Sequence, residues 1–145
     1  MIKILCIGKI KENYLNLLID DYKKRINKYH KLEIVEVKDD VVYEKEINNL
    51  LSKINSKDFN VALDLKGRKV SSEEFAKQLE KTFIINSNIT FIIVGSNGLN
   101  EEVRKKCNDV ISFSNLTFPH SLFRGILLEQ IYRSFKIINN EKYHK

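Results

Sequence analysis

The sequence predicts an α/β fold: a three-layer, parallel sheet of about five or six strands in one domain over residues 1–145. Three observations carry this. Short β-branched apolar runs alternate with segments whose apolar residues recur every three or four positions. One run, residues 89–94, is apolar almost throughout, as strands covered on both faces are. The chain has five glycines and one proline, and no stretch reads as a linker, a repeat or a low-complexity segment.

Taken in order, Ile2–Ile7 is the first predicted strand. After Gly8, the series Tyr14, Leu15, Leu18, Tyr22, Arg25, Ile26, Tyr29 predicts a helix over 13–29 with one apolar stripe. Leu32–Val37 alternates apolar and charged residues, as a half-exposed strand does. Ile47, Leu50, Leu51 and Ile54 mark a second helix. Residues 59–65 form a third strand that ends in the loop 66–70. Ser71 and Glu74 then form a capping box, in which each side chain satisfies a free backbone N–H, and Phe75, Leu79 and Phe83 carry that helix inward. The apolar run 89–94 belongs mid-sheet. Gly95-Ser96-Asn97-Gly98-Leu99 turns the chain into a short helix from about Asn100, and a fifth strand lies near 110–113. The last helix starts at Pro119, whose missing N–H would be unpaired in a first turn anyway. Leu122, Phe123, Ile126, Leu127, Ile131, Phe135 and Ile138 form its expected buried stripe.

Composition narrows the function classes. Against 19 Asp and Glu stand 25 Lys and Arg, a formal charge of +6 that suits a polyanionic partner, although clusters such as Lys66-Gly67-Arg68-Lys69 equally suit a solvated surface. Two cysteines, Cys6 and Cys107, make no disulfide framework, and Cys6 reads as a small buried hydrophobe. The three histidines show no metal-ligand spacing. The opening residues are too interrupted for a signal peptide or membrane span, so a reduced cytoplasmic protein is expected.

Ligands in open parallel sheets bind outside the carboxyl ends of strands, which selects the loops 63–67, 95–99 and 114–118. The Gly95 turn lacks G-x-G-x-x-G spacing and a following Lys-Ser/Thr, which argues against a nucleotide-phosphate site. In the last helix, Glu129 and Arg133 stand four apart in the favourable order for an ion pair. Arg124 and Arg133 read either as phosphate ligands or as surface charges. The chain then ends on Tyr143-His144-Lys145, an unusual set for a terminus.

Several segments occur together in one order: Ala62-Leu63-Asp64, residues 71–76, residues 91–99, Leu116-Thr117-Phe118-Pro119-His120, residues 129–133 and Tyr143-His144-Lys145. With these the chain resembles the RlmH-type methyltransferases of ribosomal RNA, of the SPOUT class, along nearly its whole length. The resemblance implies a C-terminal trefoil knot, a homodimer, and S-adenosylmethionine as cofactor. It implies methylation of N3 of a pseudouridine in a hairpin of 23S ribosomal RNA on assembled ribosomes. Carried to this chain, it assigns the cofactor to Leu63, Gly95, Phe113, Ser114, Asn115, Leu116, Thr117 and Phe118. Tyr143 and His144 are expected at the target nucleotide, with His144 as base or as positioning group; Arg133, grouped with them as catalytic, and Lys145 are expected on phosphate, and Arg124 is a further RNA-binding residue. Two departures stand out: Val94 replaces one of a glycine pair, and Lys142 replaces the proline that commonly precedes the terminal Tyr-His. The rival readings are a non-catalytic RNA-binding protein of the same fold and a relative that modifies transfer RNA.

Overall fold

A computed structural model describes residues 1–95 and 97–145; Ser96, part of the predicted turn, lies outside the described residues. Among the described residues five strands and five helices alternate: β1 Ile2–Ile7, α1 Asn13–Asn27, β2 Leu32–Val37, α2 Tyr43–Ser52, β3 Phe59–Lys69, α3 Ser72–Ile85, β4 Ile89–Ile93, α4 Glu101–Lys105, β5 Asp109–Ser112 and α5 His120–Ile138. The sheet order is β2-β1-β4-β3-β5, with every pairing parallel. The apolar run β4 is therefore the central strand, and the alternating β2 lies at an edge, as their patterns predict.

Strand periodicity splits the core into two layers. Ile2, Ile4 and Cys6 of β1, with Ile89, Phe91 and Ile93 of β4, face helices α1, α3 and α5. Leu5 and Ile92, one residue out of phase, meet Ile47 and Leu50 of α2 and Val103 of α4 on the other face. At the start of α3, the Ser71 hydroxyl accepts the Glu74 N–H at 3.1 Å and the Glu74 carboxylate accepts the Ser71 N–H at 2.9 Å. That is the expected capping box.

Three expectations need correction. First, Lys66 to Lys69 are not a loop but the end of β3, which pairs with β5 again after a slip between Leu63 and Arg68. At that slip Gly67 lies on the main chain of Ile111: a Cβ there would stand 2.6 Å from the Ile111 carbonyl carbon. Second, the α1 stripe is rotated. Leu15, Ile19 and Ile26 are buried, while Tyr14 is 70% and Leu18 is 36% exposed. Third, α5 packs against both α1 and α3, so Leu128, Tyr132 and even Ser134 are buried while Leu122 is exposed. Flanked on two sides, α5 cannot keep a single stripe. The exposed Tyr14, Leu17 and Leu18 continue to Leu122 across the close α1–α5 approach, where a Cβ on Gly125 would meet Leu18 Cδ2 at 2.9 Å.

Candidate active site

The carboxyl ends of β3, β4 and β5 open into one cavity of about 600 Å³, the size of a site for a small organic molecule. Each strand contributes for the reason its sequence gives: the apolar run ends, the chain turns, and the turn residues are left facing outward. Leu63 comes from β3, Val94, Gly95 and Gly98 from the turn after β4, and Phe113, Ser114, Leu116, Thr117 and Phe118 from the segment after β5. Residues from all three segments selected from sequence thus meet at one place, the first of them from within strand β3 and not from a loop. Of the eight predicted cofactor residues, seven line the cavity. Asn115 is exposed and does not.

The wall is mostly apolar and braced from behind. Phe113 packs edge-on against Phe75 with ring centres 5.1 Å apart and tilts against Phe123 at 5.4 Å, so its orientation is fixed by the core. Phe118 stacks on Phe123 at 6.3 Å. Ser114 organises its own loop: its hydroxyl accepts the Leu116 N–H at 3.0 Å and its carbonyl accepts the Ser112 hydroxyl at 3.0 Å. Sequence reasoning did not assign Asp64, Ile93, Ile111, Pro119, His120, Ser121 or Phe123, which also line the cavity. The signal for the last four was present, because the first turn of α5 directly follows the candidate loop.

The predicted RNA-facing residues gather elsewhere. After α5, Asn140 adopts a left-handed φ of 55°, which asparagine tolerates, and turns the tail back along the helix. Tyr143 packs edge-on against Tyr132 at 4.9 Å, and its hydroxyl lies 2.9 Å from the Glu129 carboxylate and 3.3 Å from the Tyr22 hydroxyl. Burial and these two partners raise the phenol's pKa above its ordinary range, so it stays neutral. Arg133 makes the predicted ion pair with Glu129 at 2.8 Å and lies over the Tyr143 ring at 4.8 Å.

Arg133 also donates to Nδ1 of His144 at 3.1 Å, and because a guanidinium has no acceptor, Nδ1 must accept. The remaining nitrogen, Nε2, then carries the proton and donates it to Glu73 at 2.6 Å. Both ring nitrogens of His144 are thus engaged, Nδ1 as acceptor and Nε2 as donor. Glu73, 71 positions away in sequence, gave no sign of this partnership.

Tyr143 meets α5 at Glu129 and Tyr132, six to nine residues beyond Phe123 at the cavity wall, a separation of about 9–14 Å along the helix. Tyr143, His144 and Arg133 are not among the residues that line the cavity. Arg124 departs from its predicted role. It is 5% exposed, pairs with Glu36 at 2.6 Å and donates to the Gly8 carbonyl at 3.2 Å, so its charge is consumed within the protein and does not face RNA phosphate. Lys145 is exposed. The thiols of Cys6 and Cys107 are pushed up to about 11 by burial, which suits structural residues. Among the described residues no helix is long and apolar enough to cross a membrane.

A cavity at the carboxyl ends of adjacent parallel strands marks a ligand-binding α/β protein, and similarity supplies its class: the chain belongs to the SPOUT methyltransferase family. The family model described as "Predicted SPOUT methyltransferase" matches residues 1–144. The chain is 46% identical to ribosomal RNA large subunit methyltransferase H 1 of Clostridium perfringens (strain SM101 / Type A), over 99% of each sequence. It is equally similar, at 46% over 99% of each, to ribosomal RNA large subunit methyltransferase H of Clostridium botulinum (strain Kyoto / Type A2). Among solved structures, the fold is shared with a probable methylase family protein from Haemophilus influenzae Rd KW20, at TM-score 0.57 and 14% identity, covering 99% of this chain and 70% of that one. It is also shared with a tRNA (m1G37) methyltransferase from Aquifex aeolicus, at TM-score 0.53 and 18% identity, covering 91% and 69%. The chain is thus a methyltransferase by family, and its five-stranded α/β architecture is the expected one.

Proposed function

We propose that this protein uses S-adenosylmethionine to methylate N3 of a pseudouridine in a hairpin of 23S ribosomal RNA, acting as a homodimer on assembled ribosomes in the cytoplasm. The convergence of the slipped part of β3 with the segments after β4 and β5 on one mainly apolar cavity carries the reading. Relatives named for ribosomal RNA methylation, similar end to end, favour this substrate over transfer RNA. The resemblance also implies that the C-terminal part threads the chain as a trefoil knot.

The cavity suits the cofactor. Leu63, Phe113 and Phe118 offer flat apolar surface to an adenine, while Ser114, Thr117 and the loop backbones offer polar groups to its substituents. S-adenosylmethionine, when bound, supplies a methyl group activated on a sulfonium. The protein's contribution is then chiefly orientation, presenting N3 in line with that methyl and assisting departure of the N3 proton. Tyr143, neutral and fixed by Glu129 and Tyr22, acts by position. His144 can take up a proton only after Nδ1 leaves Arg133, which favours positioning over general-base work in this arrangement. Arg133 and Lys145 supply charge for RNA.

The separation of tail and cavity supports a second copy that brings its tail to this cavity. The apolar patch of Tyr14, Leu17, Leu18 and Leu122 offers the surface for it. Deletion of Tyr143 to Lys145 tests the assignment. Calorimetry should show S-adenosylmethionine binding retained while methylation of ribosomes lacking the modification is lost. Full activity of the truncated protein would remove the tail from the site, and absent cofactor binding by the intact protein would favour a non-catalytic role. Methylation confined to transfer RNA would overturn the substrate.

A further inference from the structure

The cavity wall is mostly apolar, and among its polar side chains is one carboxylate. Asp64 is the one acidic residue among the described residues lining the cavity. It follows Leu63 where β3 slips against β5, and its half-buried side chain is partly fixed: Oδ2 accepts the Lys66 backbone N–H at 3.3 Å. Oδ1 is directed toward Gly98, 3.9 Å from where a Cβ would stand. Among the described residues Asp64 enters no ion pair, although the chain carries a net positive charge. An unpaired carboxylate beside apolar surface is weakly compensated, and a cationic ligand there gains more than it would in bulk water.

We propose that Asp64 is the counter-charge for the sulfonium of the methyl donor, so that the site distinguishes the cationic donor from its neutral thioether product. The inference rests on reading the cavity as the S-adenosylmethionine site. In the transfer, the bond between sulfur and methyl breaks with its electron pair left on sulfur, a bond forms from N3 to the methyl carbon, and the N3 proton passes to solvent. The sulfur loses its positive charge at that moment. Asp64 then faces a neutral atom, which weakens retention of the product relative to the donor and favours their exchange. Asp64 is in this sense a specificity residue for the state of charge and takes no part in proton transfer.

Calorimetric titration of the wild-type protein and of Asp64→Asn with S-adenosylmethionine and with S-adenosylhomocysteine separates the outcomes. Asparagine keeps the shape and the acceptor for Lys66 but removes the charge. The expected result is a donor affinity about tenfold weaker and a product affinity changed by no more than about twofold. Equal weakening of both ligands would overturn the proposal, because Asp64 would then read a group they share, such as a ribose hydroxyl. No change in either would overturn it as well. Asp64→Glu, which keeps the charge, should keep most of the donor preference, and Asp64→Ser serves in place of Asp64→Asn if the latter fails to fold. Wild-type protein that binds neither ligand would sink the cofactor reading itself, a result distinct from wild-type binding with an unchanged ratio in the variant.

Discussion

Gly67→Ala should be among the most damaging small substitutions in the protein. The added Cβ would stand 2.6 Å from the carbonyl carbon of Ile111, 2.8 Å from its nitrogen and 2.8 Å from its oxygen. Carbon atoms in contact prefer about 3.5–4.0 Å, so the two strands would have to separate by roughly 1 Å. No side chain can turn aside to relieve this, because the obstructing atoms are main chain and Ile111 is fully buried. Overpacking of a core costs about 1–3 kcal/mol, and an obstacle of backbone places this change at the upper end, about 3 kcal/mol. For a domain of this size each kcal/mol lowers Tm by about 3 °C, which gives a fall of about 9 °C. Thermal unfolding followed by circular dichroism, at one protein concentration throughout, measures it. Gly125→Ala is the control. Its Cβ meets only the end of the partly exposed Leu18 side chain, and the helix gains about 1 kcal/mol of propensity, so it should melt close to wild type. A Gly67→Ala protein melting within about 2 °C of wild type would refute the backbone-contact argument.

Arg124→Ala should destabilise the fold by about 3 kcal/mol in denaturant unfolding, by stranding Glu36 and the Gly8 carbonyl, and should leave the salt dependence of RNA binding unchanged. Lys145→Ala should do the reverse, lowering the salt slope with little effect on unfolding. The docking of the tail should depend on acid. The His144 N–H holds the Glu73 carboxyl below its ordinary value of 4.5, so this contribution is fully present above that pH and is lost as the pH falls through the lowered value. Glu73→Gln should abolish the dependence, seen as loss of the pH-linked change in His144 ring resonances below pH 4.5; an identical pH profile in the variant would assign the titration to another group.

Much of the fold was written in local patterns that a linear reading can follow. The strands Ile2–Ile7 and Leu32–Val37 emerge with their observed bounds because alternation and apolar runs are properties of adjacent residues. The cavity was legible for a related reason: in a parallel sheet, knowing where strands end fixes where ligands bind. What failed depended on partners far along the chain. Lys66 to Lys69 look like a polar loop until β5 arrives to pair with them. Arg124 looks like surface charge until Glu36 of β2 meets it. Tyr14 and Leu18 satisfy a helical stripe yet remain uncovered, because the stripe marks apolar faces without saying whether the chain itself covers them. The Glu73–His144 contact joins two segments whose spacing carries no periodic signal at all.

If the tail meets RNA as proposed, its docking has a thermodynamic consequence for that recognition. A free chain terminus loses about 1–2 kcal/mol of backbone entropy for each residue ordered when it binds. Here Glu141 is held by Tyr29 and Lys136, Tyr143 by Glu129 and Tyr22, and His144 by Arg133 and Glu73, all before any partner is present. That entropy is spent during folding, so a nucleotide meeting these side chains encounters a preorganised surface and retains more of its contact energy as affinity.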